Sequence, residues 1–143
     1  MQVVERSALV SYSAAQMYAL VNDVERYPEF LPWCTGAEVL QSAPGTQLAT
    51  VRVARGVLRT EFTTRNTLTP GTEIRMQGVD GPFKDLQGLW RFLQLGERGS
   101  KVSFNVQFEF RNRLTAGAFG TVFESLCGSI VEAFGARARV MYG

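Results

Sequence analysis

Three features of the sequence predict an α+β domain in which a curved antiparallel sheet of about seven strands wraps a long C-terminal helix, with two short helices after the first strand. From residue 37 to residue 110, apolar and polar side chains alternate in segments punctuated by Pro44-Gly45, Gly56, Pro70-Gly71 and Gly81-Pro82. From Asn112 to about Val140 the period becomes helical. Between the first elements, Pro28 and Pro32 forbid a long regular helix.

Residues 3–10 read as a weakly patterned strand. Ser13 and Gln16 then have the N-cap to N3 spacing of a capping box, which satisfies two orphan amides at a helix start. Met17, Tyr18, Leu20 and Val21 supply the apolar side of that helix, and Asp23 is placed to cap a second, very short helix that Pro28 limits. The connector ERYPEFLPWCTG, residues 25–36, carries Tyr27, Phe30 and Trp33 three apart. Residues at that spacing line up on a 3₁₀ or polyproline turn, so the three rings form one strip that needs an apolar partner.

Strands are expected at residues 37–41, 48–54, 58–68, 74–79, 85–95 and 101–110, joined as consecutive hairpins. In KVSFNVQFEF, Val102, Phe104, Val106, Phe108 and Phe110 point one way; Lys101, Ser103, Asn105, Gln107 and Glu109 point the other, into water. The same test over 58–68 turns Leu58, Phe62 and Leu68 inward together with Thr60, Thr64 and Asn66, leaving Arg59, Glu61, Thr63, Arg65 and Thr67 outward. Each inward polar group left unpaired costs about 1–3 kcal/mol, so these three require partners.

The terminal helix, capped by Asn112, spans roughly 40 Å at 1.5 Å per residue. Phe119, Val122, Phe123, Leu126, Cys127, Ile130 and Phe134 fall in one arc opposite Thr121, Ser125, Glu132 and Arg139. Gly117, Gly128 and Gly135 lie together beside that arc, either as tolerated surface glycines or as a place where backbone or ligand comes close.

Composition bounds the function. A chain of 143 residues, 45% hydrophobic with ten Phe, makes one domain over residues 1–143 with a substantial core. No apolar run reaches membrane-span length, and Glu5 and Arg6 interrupt what a signal peptide keeps apolar, so a cytoplasmic location is expected. With no His and only Cys34 and Cys127, the usual structural zinc ligands are missing and no metal site is expected. The two cysteines read as reduced, half-buried thiols, with a single disulfide as the alternative. Net charge is +2, and arginine dominates the basic residues, a preference that suits phosphate recognition and also follows from base composition.

Consecutive hairpins closed by a long helix, with the first strand pairing back to the last, give the helix-grip arrangement, which leaves a gap between curved sheet and helix. Tyr27, Phe30 and Trp33 are expected over one mouth of that gap, flanked by the Gly81-Pro82-Phe83 corner. The segments SYSAAQMYALVNDVERYPEFLPWCTGAEVL, VDGPFKDLQGLWRF, KVSFNVQFEFRNRL and VMYG resemble the bacterial ribosome association toxins and the related mitochondrial coenzyme Q-binding proteins, within the polyketide cyclase and START-like superfamily. The resemblance runs over nearly the entire chain. It implies a helix-grip fold, a hydrophobic isoprenoid-quinone ligand and a role supporting respiration; for the toxin branch it implies binding to the large ribosomal subunit so that subunits fail to join. One departure is Gln77-Gly78, where the family pattern leads one to expect a bulkier aliphatic before the Gly-Pro corner, which implies a wider pocket mouth or a looser strand.

Three functions follow for testing. Catalysis lacks an imidazole, and Glu61, Glu73 and Glu109 are expected to face water, which leaves Tyr18 or Tyr27 as the sole conceivable participants. No catalytic residue and no cofactor is expected. A ligand carrier needs an apolar cavity with a few directed polar groups. Phe62, Met76, Phe83, Trp90, Phe104, Phe119, Phe123 and Phe134 are the expected wall, beneath Tyr27, Phe30 and Trp33, with Thr60, Thr64 and Asn66 as partners for a quinone head. Such a carrier implies transient membrane contact for ligand exchange. Ribosome binding would use the outward row Arg59, Arg65, Arg75 and Arg91, meeting rRNA phosphates; no DNA partner is expected.

Overall fold

The computed structural model describes residues Met1–Gly143. β1 (Gln2–Val10) leads into α1 (Ala14–Asn22), a 3₁₀ helix (Val24–Glu29) and the hairpin series β2 (Cys34–Ala43), β3 (Thr46–Arg55), β4 (Leu58–Thr69), β5 (Glu73–Asp80), β6 (Phe83–Leu95) and β7 (Gly99–Phe110), closed by α2 (Arg113–Tyr142). The capping box forms as the spacing predicts: Ser13 Oγ accepts from Gln16 N at 3.1 Å, and Gln16 Oε1 accepts from Ser13 N at 2.9 Å. Asn112 Oδ1 caps α2 by accepting from Thr115 N at 2.7 Å. Asp23 differs from expectation. Its side chain makes no capping bond and instead pairs with Arg26 at 3.2 Å, while Pro28 sits inside the 3₁₀ helix and does not end it. β2 runs well beyond the residues 37–41 expected for it, from Cys34 to Ala43, because its register shifts past Cys34 and Val39 let the chain stay paired with β3.

The seven strands lie in the order β1-β7-β6-β5-β4-β3-β2, all antiparallel, so the first strand does return to the last. Register shifts between Thr63 and Thr64 and between Phe83 and Asp85 bend the sheet locally. The inner and outer faces follow the alternation in the sequence: Val102, Phe104, Val106, Phe108 and Phe110 are buried, whereas Arg59, Glu61, Arg65 and Thr67 are exposed.

α2 crosses the inner face on the β1 and β7 side. Three helix glycines explain how it can lie so close to an edge strand. A Cβ at Gly120 or Gly128 would stand 3.1 Å from Gln2 Oε1 or Arg6 Nη2, and one at Gly135 would stand 4.0 Å from Val10 Cγ1. The close neighbour of the glycines is thus β1. Gly117 faces open space and belongs to the surface. This seating rotates the buried arc, so that Val131 and Ala138 are enclosed with Phe123, Leu126, Cys127 and Phe134, while Phe119, Val122 and Ile130 are half-buried at its other edge. α2 has the length and hydropathy of a membrane span, but its most apolar stripe is the one pressed on the sheet. Cys34 and Cys127 are both free and both buried, deeper than expected for half-buried thiols.

Two aromatic clusters fill the space beneath the helix. Phe134, fully buried, meets Trp90 edge-on at 5.3 Å, and Trp90 stacks on Phe104 at 4.4 Å. Nearer the start of α2, Phe123 packs on Phe83 at 4.9 Å and Phe108 at 4.8 Å, with Phe62 and Phe110 around them. Edge-to-face geometry adds about 0.5–1.5 kcal/mol per pair beyond the area buried. Inner-face polar groups satisfy one another: Thr64 Oγ1 donates to Asn66 Oδ1 at 2.8 Å, Asn66 Nδ2 to Gln47 Oε1 at 2.9 Å, and Gln47 Nε2 reaches Asn22 O at 3.5 Å.

Candidate functional site

The aromatic strip of the connector divides. Tyr27 and Phe30 turn down onto Phe134 at 5.4 and 5.2 Å and onto each other at 6.2 Å. Tyr27 Oη donates to Val21 O, and burial of the ring pushes its phenol well above the usual value, with the charges of Cys34 and Asp23 adding to the shift. Arg137 of α2 clasps the connector from above: its guanidinium bonds Glu29 Oε1 at 2.7 Å and lies 4.9 Å from the centre of the Phe30 ring. Leu31 is buried below, and Ala54 N donates to Trp33 O at 2.9 Å, tying the connector to the end of β3. Trp33 is left beside the larger open space, while Phe30 borders a separate pocket of about 270 Å³ with Leu20, Arg26, Arg137 and Met141.

That space is a groove of about 600 Å³ between the connector, the end of β3 and the flank of α2. Leu31, Pro32 and Trp33 form one side, Ala54 the floor with exposed Arg55 at its rim, and Ser129, Glu132, Ala133 and Ala136 the other side. The groove exists because three of those helix residues are small. At 100° per residue Ser129, Ala133 and Ala136 project within about 60° of one another, so α2 presents a shallow flank exactly where the connector stops following it. Further in, Val51, Thr60 and Phe62 on β3 and β4 stay half-buried although they face inward, because α2 sits over the far side of the sheet.

The sequence-predicted residues are distributed unevenly over this geometry. Trp33 lines the groove; Thr60 and Phe62 lie on the half-open inner face. Tyr27 and Phe30 close against Phe134 and do not roof the groove, although Phe30 borders the smaller pocket beside Arg137. Trp90, Phe104, Phe83, Phe123 and Phe134 are buried in the two clusters, away from the groove. Phe119 is half-buried on α2, and Met76 lies against Gly88 in the sheet. Thr64 and Asn66 spend their side chains on the network with Gln47. The Gly81-Pro82-Phe83 corner does not flank the mouth. It packs on Phe62, where a Cβ at Gly81 would come within 2.7 Å of Phe62 Cβ. Gly78 does not widen anything either: Leu86 fills the position, 2.9 Å from where a Cβ would be. What the sequence reading passed over are Ala54, Arg55, Ser129, Glu132, Ala133 and Ala136. The signal for Ser129, Ala133 and Ala136 was a run of small residues on one helix flank, which a search for large wall-forming rings overlooks.

On the outer face all four predicted arginines are exposed. Arg65, Arg75 and Arg91 stand on neighbouring strands one step out of register, since Arg65 pairs with Gln77, Arg75 with Leu89 and Arg91 with Glu73. Diagonal neighbours of this kind are about 7–8 Å apart. Lys101, paired with Leu93 beside Arg91, continues the line onto β7. Arg59 is six positions from Arg65 along β4, roughly 20 Å away, and is not part of it. Glu73 pairs with Arg75 at 3.5 Å and dilutes the row at one point.

The groove brings no nucleophile together with a base. Ser129 donates its hydroxyl to Leu126 O within its own helix, at 3.0 Å. The thiols lie elsewhere, and burial, followed by the Glu124 carboxylate, pushes the Cys127 thiol up to about 12, while burial also raises Cys34. Both stay protonated and unreactive near neutrality.

A curved seven-stranded sheet gripping one long helix, with an apolar groove at the helix flank, defines a START-like module. The chain belongs to the polyketide cyclase/dehydrase and lipid transport family, whose sequence pattern matches residues 10–135. It is 49% identical over 142 residues to the ribosome association toxin RatA of Escherichia coli (strain K12), which spans 99% of this chain and 90% of that protein. It is 29% identical over 141 residues to the mitochondrial coenzyme Q-binding protein COQ10 homolog B of Xenopus laevis, spanning 96% of this chain and 58% of that one. Among solved structures, the ZhuI aromatase/cyclase from Streptomyces sp. R1128 superposes with a TM-score of 0.86 over 99% of this chain and 96% of that one. At 19% identity this last likeness shows the fold.

Proposed function

We propose that the protein is a non-enzymatic binding module that takes a polyprenyl-quinone-like lipid into the groove between Trp33 and Ala133, acts in the cytoplasm and supports respiration. The observation that carries this reading is the groove itself, about 600 Å³ of mostly apolar space inside the range of small-molecule sites. Its polar groups stand at the rim, where Arg55 and Glu132 can meet a quinone head while the tail lies along Leu31, Ala54 and Ala133. At about 0.8 kcal/mol per buried CH₂, ten tail carbons contribute roughly 8 kcal/mol, within the range of the association cost of about 4–15 kcal/mol, so headgroup bonds and further tail decide affinity. The coenzyme Q-binding name of the Xenopus relative supports the ligand class. Protein purified from a quinone-producing host is expected to carry extractable quinone, and Ala133→Trp, which fills the groove, to lose it while keeping its fold. Native mass spectrometry showing that the unmodified protein takes up no quinone would sink this reading.

A second reading is favoured by a separate observation. The 49% identity to proteins named ribosome association toxins covers nearly the full chain, and the line Arg65, Arg75, Arg91 and Lys101 offers phosphates a row of cations on a rigid sheet. Added protein is expected to shift the subunit profile in a sucrose gradient, an effect that weakens steeply with salt and is abolished when Arg65, Arg75 and Arg91 are changed to Glu. An unchanged profile at low salt removes the ribosomal role.

A further inference from the structure

We infer that the β3–β4 hairpin tip is a docking point for an anionic phospholipid surface, holding the mouth of the groove against the bilayer from which ligand enters. The inference rests on the hydrophobic-ligand reading and specifies where that ligand is exchanged. Gly56, at φ 60°, opens a two-residue turn between Arg55 and Leu58, which are paired across the hairpin. The turn thrusts Val57 outward until 76% of it is exposed, although valine is a residue that folding normally encloses. Two cations straddle it. Arg55 lies on the groove side and Arg59 on the outer face, both exposed, and neither belongs to any of the ion pairs of the protein.

The surrounding carboxylates do not cancel this charge. Glu38 and Glu61 both hold Arg52, at 3.5 and 3.3 Å, and Glu132 stands across the groove on α2. The tip is also continuous with the ligand entrance: Arg55 lines the groove, and Ala54 N bonds Trp33 O, so exposed Pro32 and half-buried Trp33 stand beside it. An apolar point between two free cations, next to an indole ring, matches the layering of a bilayer interface, where acyl chains lie beneath anionic headgroups and Trp favours the boundary. Leu9, 74% exposed on the outer face of β1 and paired with Lys101, has neither the groove nor an indole beside it and serves as the control for an exposed apolar residue near a cation elsewhere on the sheet.

Co-sedimentation with phosphatidylcholine vesicles, with and without phosphatidylglycerol, tests the assignment. The protein is expected to bind the anionic vesicles and to be released by salt. Arg59→Glu removes one cation and adds an opposing charge, worth about 2 kcal/mol at the surface, and so lowers partitioning about thirtyfold. Val57→Glu abolishes binding, Val57→Ser weakens it, and Leu9→Glu leaves it unchanged. In vesicle-free solution the Val57 variants are expected to take up a short-chain quinone as the unmodified protein does, which separates failure of docking from failure of the ligand reading. Equal vesicle binding by Val57→Glu and the unmodified protein, no preference for anionic vesicles, or an equal loss with Leu9→Glu would each overturn the inference. So would a tip that binds RNA but no vesicles.

Discussion

Gly81 shows how much one residue carries. Its φ of 131° is a backbone region that L side chains rarely adopt, and the missing side chain is where Phe62 sits, with Phe62 Cβ 2.7 Å from an ideal Cβ. Gly81→Ala is therefore expected to lower stability by about 2 kcal/mol or more, roughly 6 °C in Tm for a domain of this size, in a thermal melt. A melt indistinguishable from the parent would mean that the corner relaxes without cost. Cys127 makes a pH-dependent contribution. Its thiol is raised from 9.0 to about 12 in the folded chain, so the unfolded chain ionises first and folding is penalised as pH climbs. That stability is fully present below pH 9 and is lost progressively towards 12. Cys127→Ala should flatten the alkaline limb in urea melts taken between those limits, and an unaltered slope would assign the limb to Cys34 and the raised tyrosines.

At the scale of elements, the connector is held by a clasp and not by regular hydrogen bonding. The Arg137 side chain is only 12% exposed, so its bond to Glu29 and its contact with Phe30 are partly shielded from water, while half-exposed Glu29 limits the gain. Replacing Arg137 with Met is expected to cost about 1 kcal/mol and to speed hydrogen exchange at Leu31 and Cys34, whose amides bond back to Tyr27 and Leu31. Unchanged protection there would show that the rings alone fix the connector. The elements themselves were legible wherever a local pattern determines them: the Ser13–Gln16 box, the alternation of β4 and β7, and the turn glycines all appear where the residues place them. The groove was not legible in the same way. It depends on where α2 settles across the sheet, which Gly120, Gly128 and Gly135 decide by letting β1 approach, and no periodicity within α2 reveals that choice. Thr64 and Asn66 were correctly read as inward, but Asn66, which accepts from Thr64, donates to Gln47 on another strand, so the network appears only once β3 and β4 are paired.

Seen as one molecule, the protein keeps its two candidate surfaces on opposite sides of a single sheet. The inner side ends in the groove by Trp33 and Ala133, and the outer side carries Arg65, Arg75, Arg91 and Lys101. The groove-filling Ala133→Trp variant should leave the ribosomal profile intact, and the arginine reversals should leave quinone uptake intact, unless occupancy of one side alters the curvature felt by the other. The order β1-β7-β6-β5-β4-β3-β2 has a temporal consequence as well. A nascent polypeptide must wait for Gly99–Phe110 before Gln2–Val10 finds its neighbour, and only Arg113–Tyr142, made after all seven strands, covers the greasy interior. Until then the sheet is an unclosed ribbon, and its dependence on chaperones should fall abruptly once Arg113–Tyr142 has emerged.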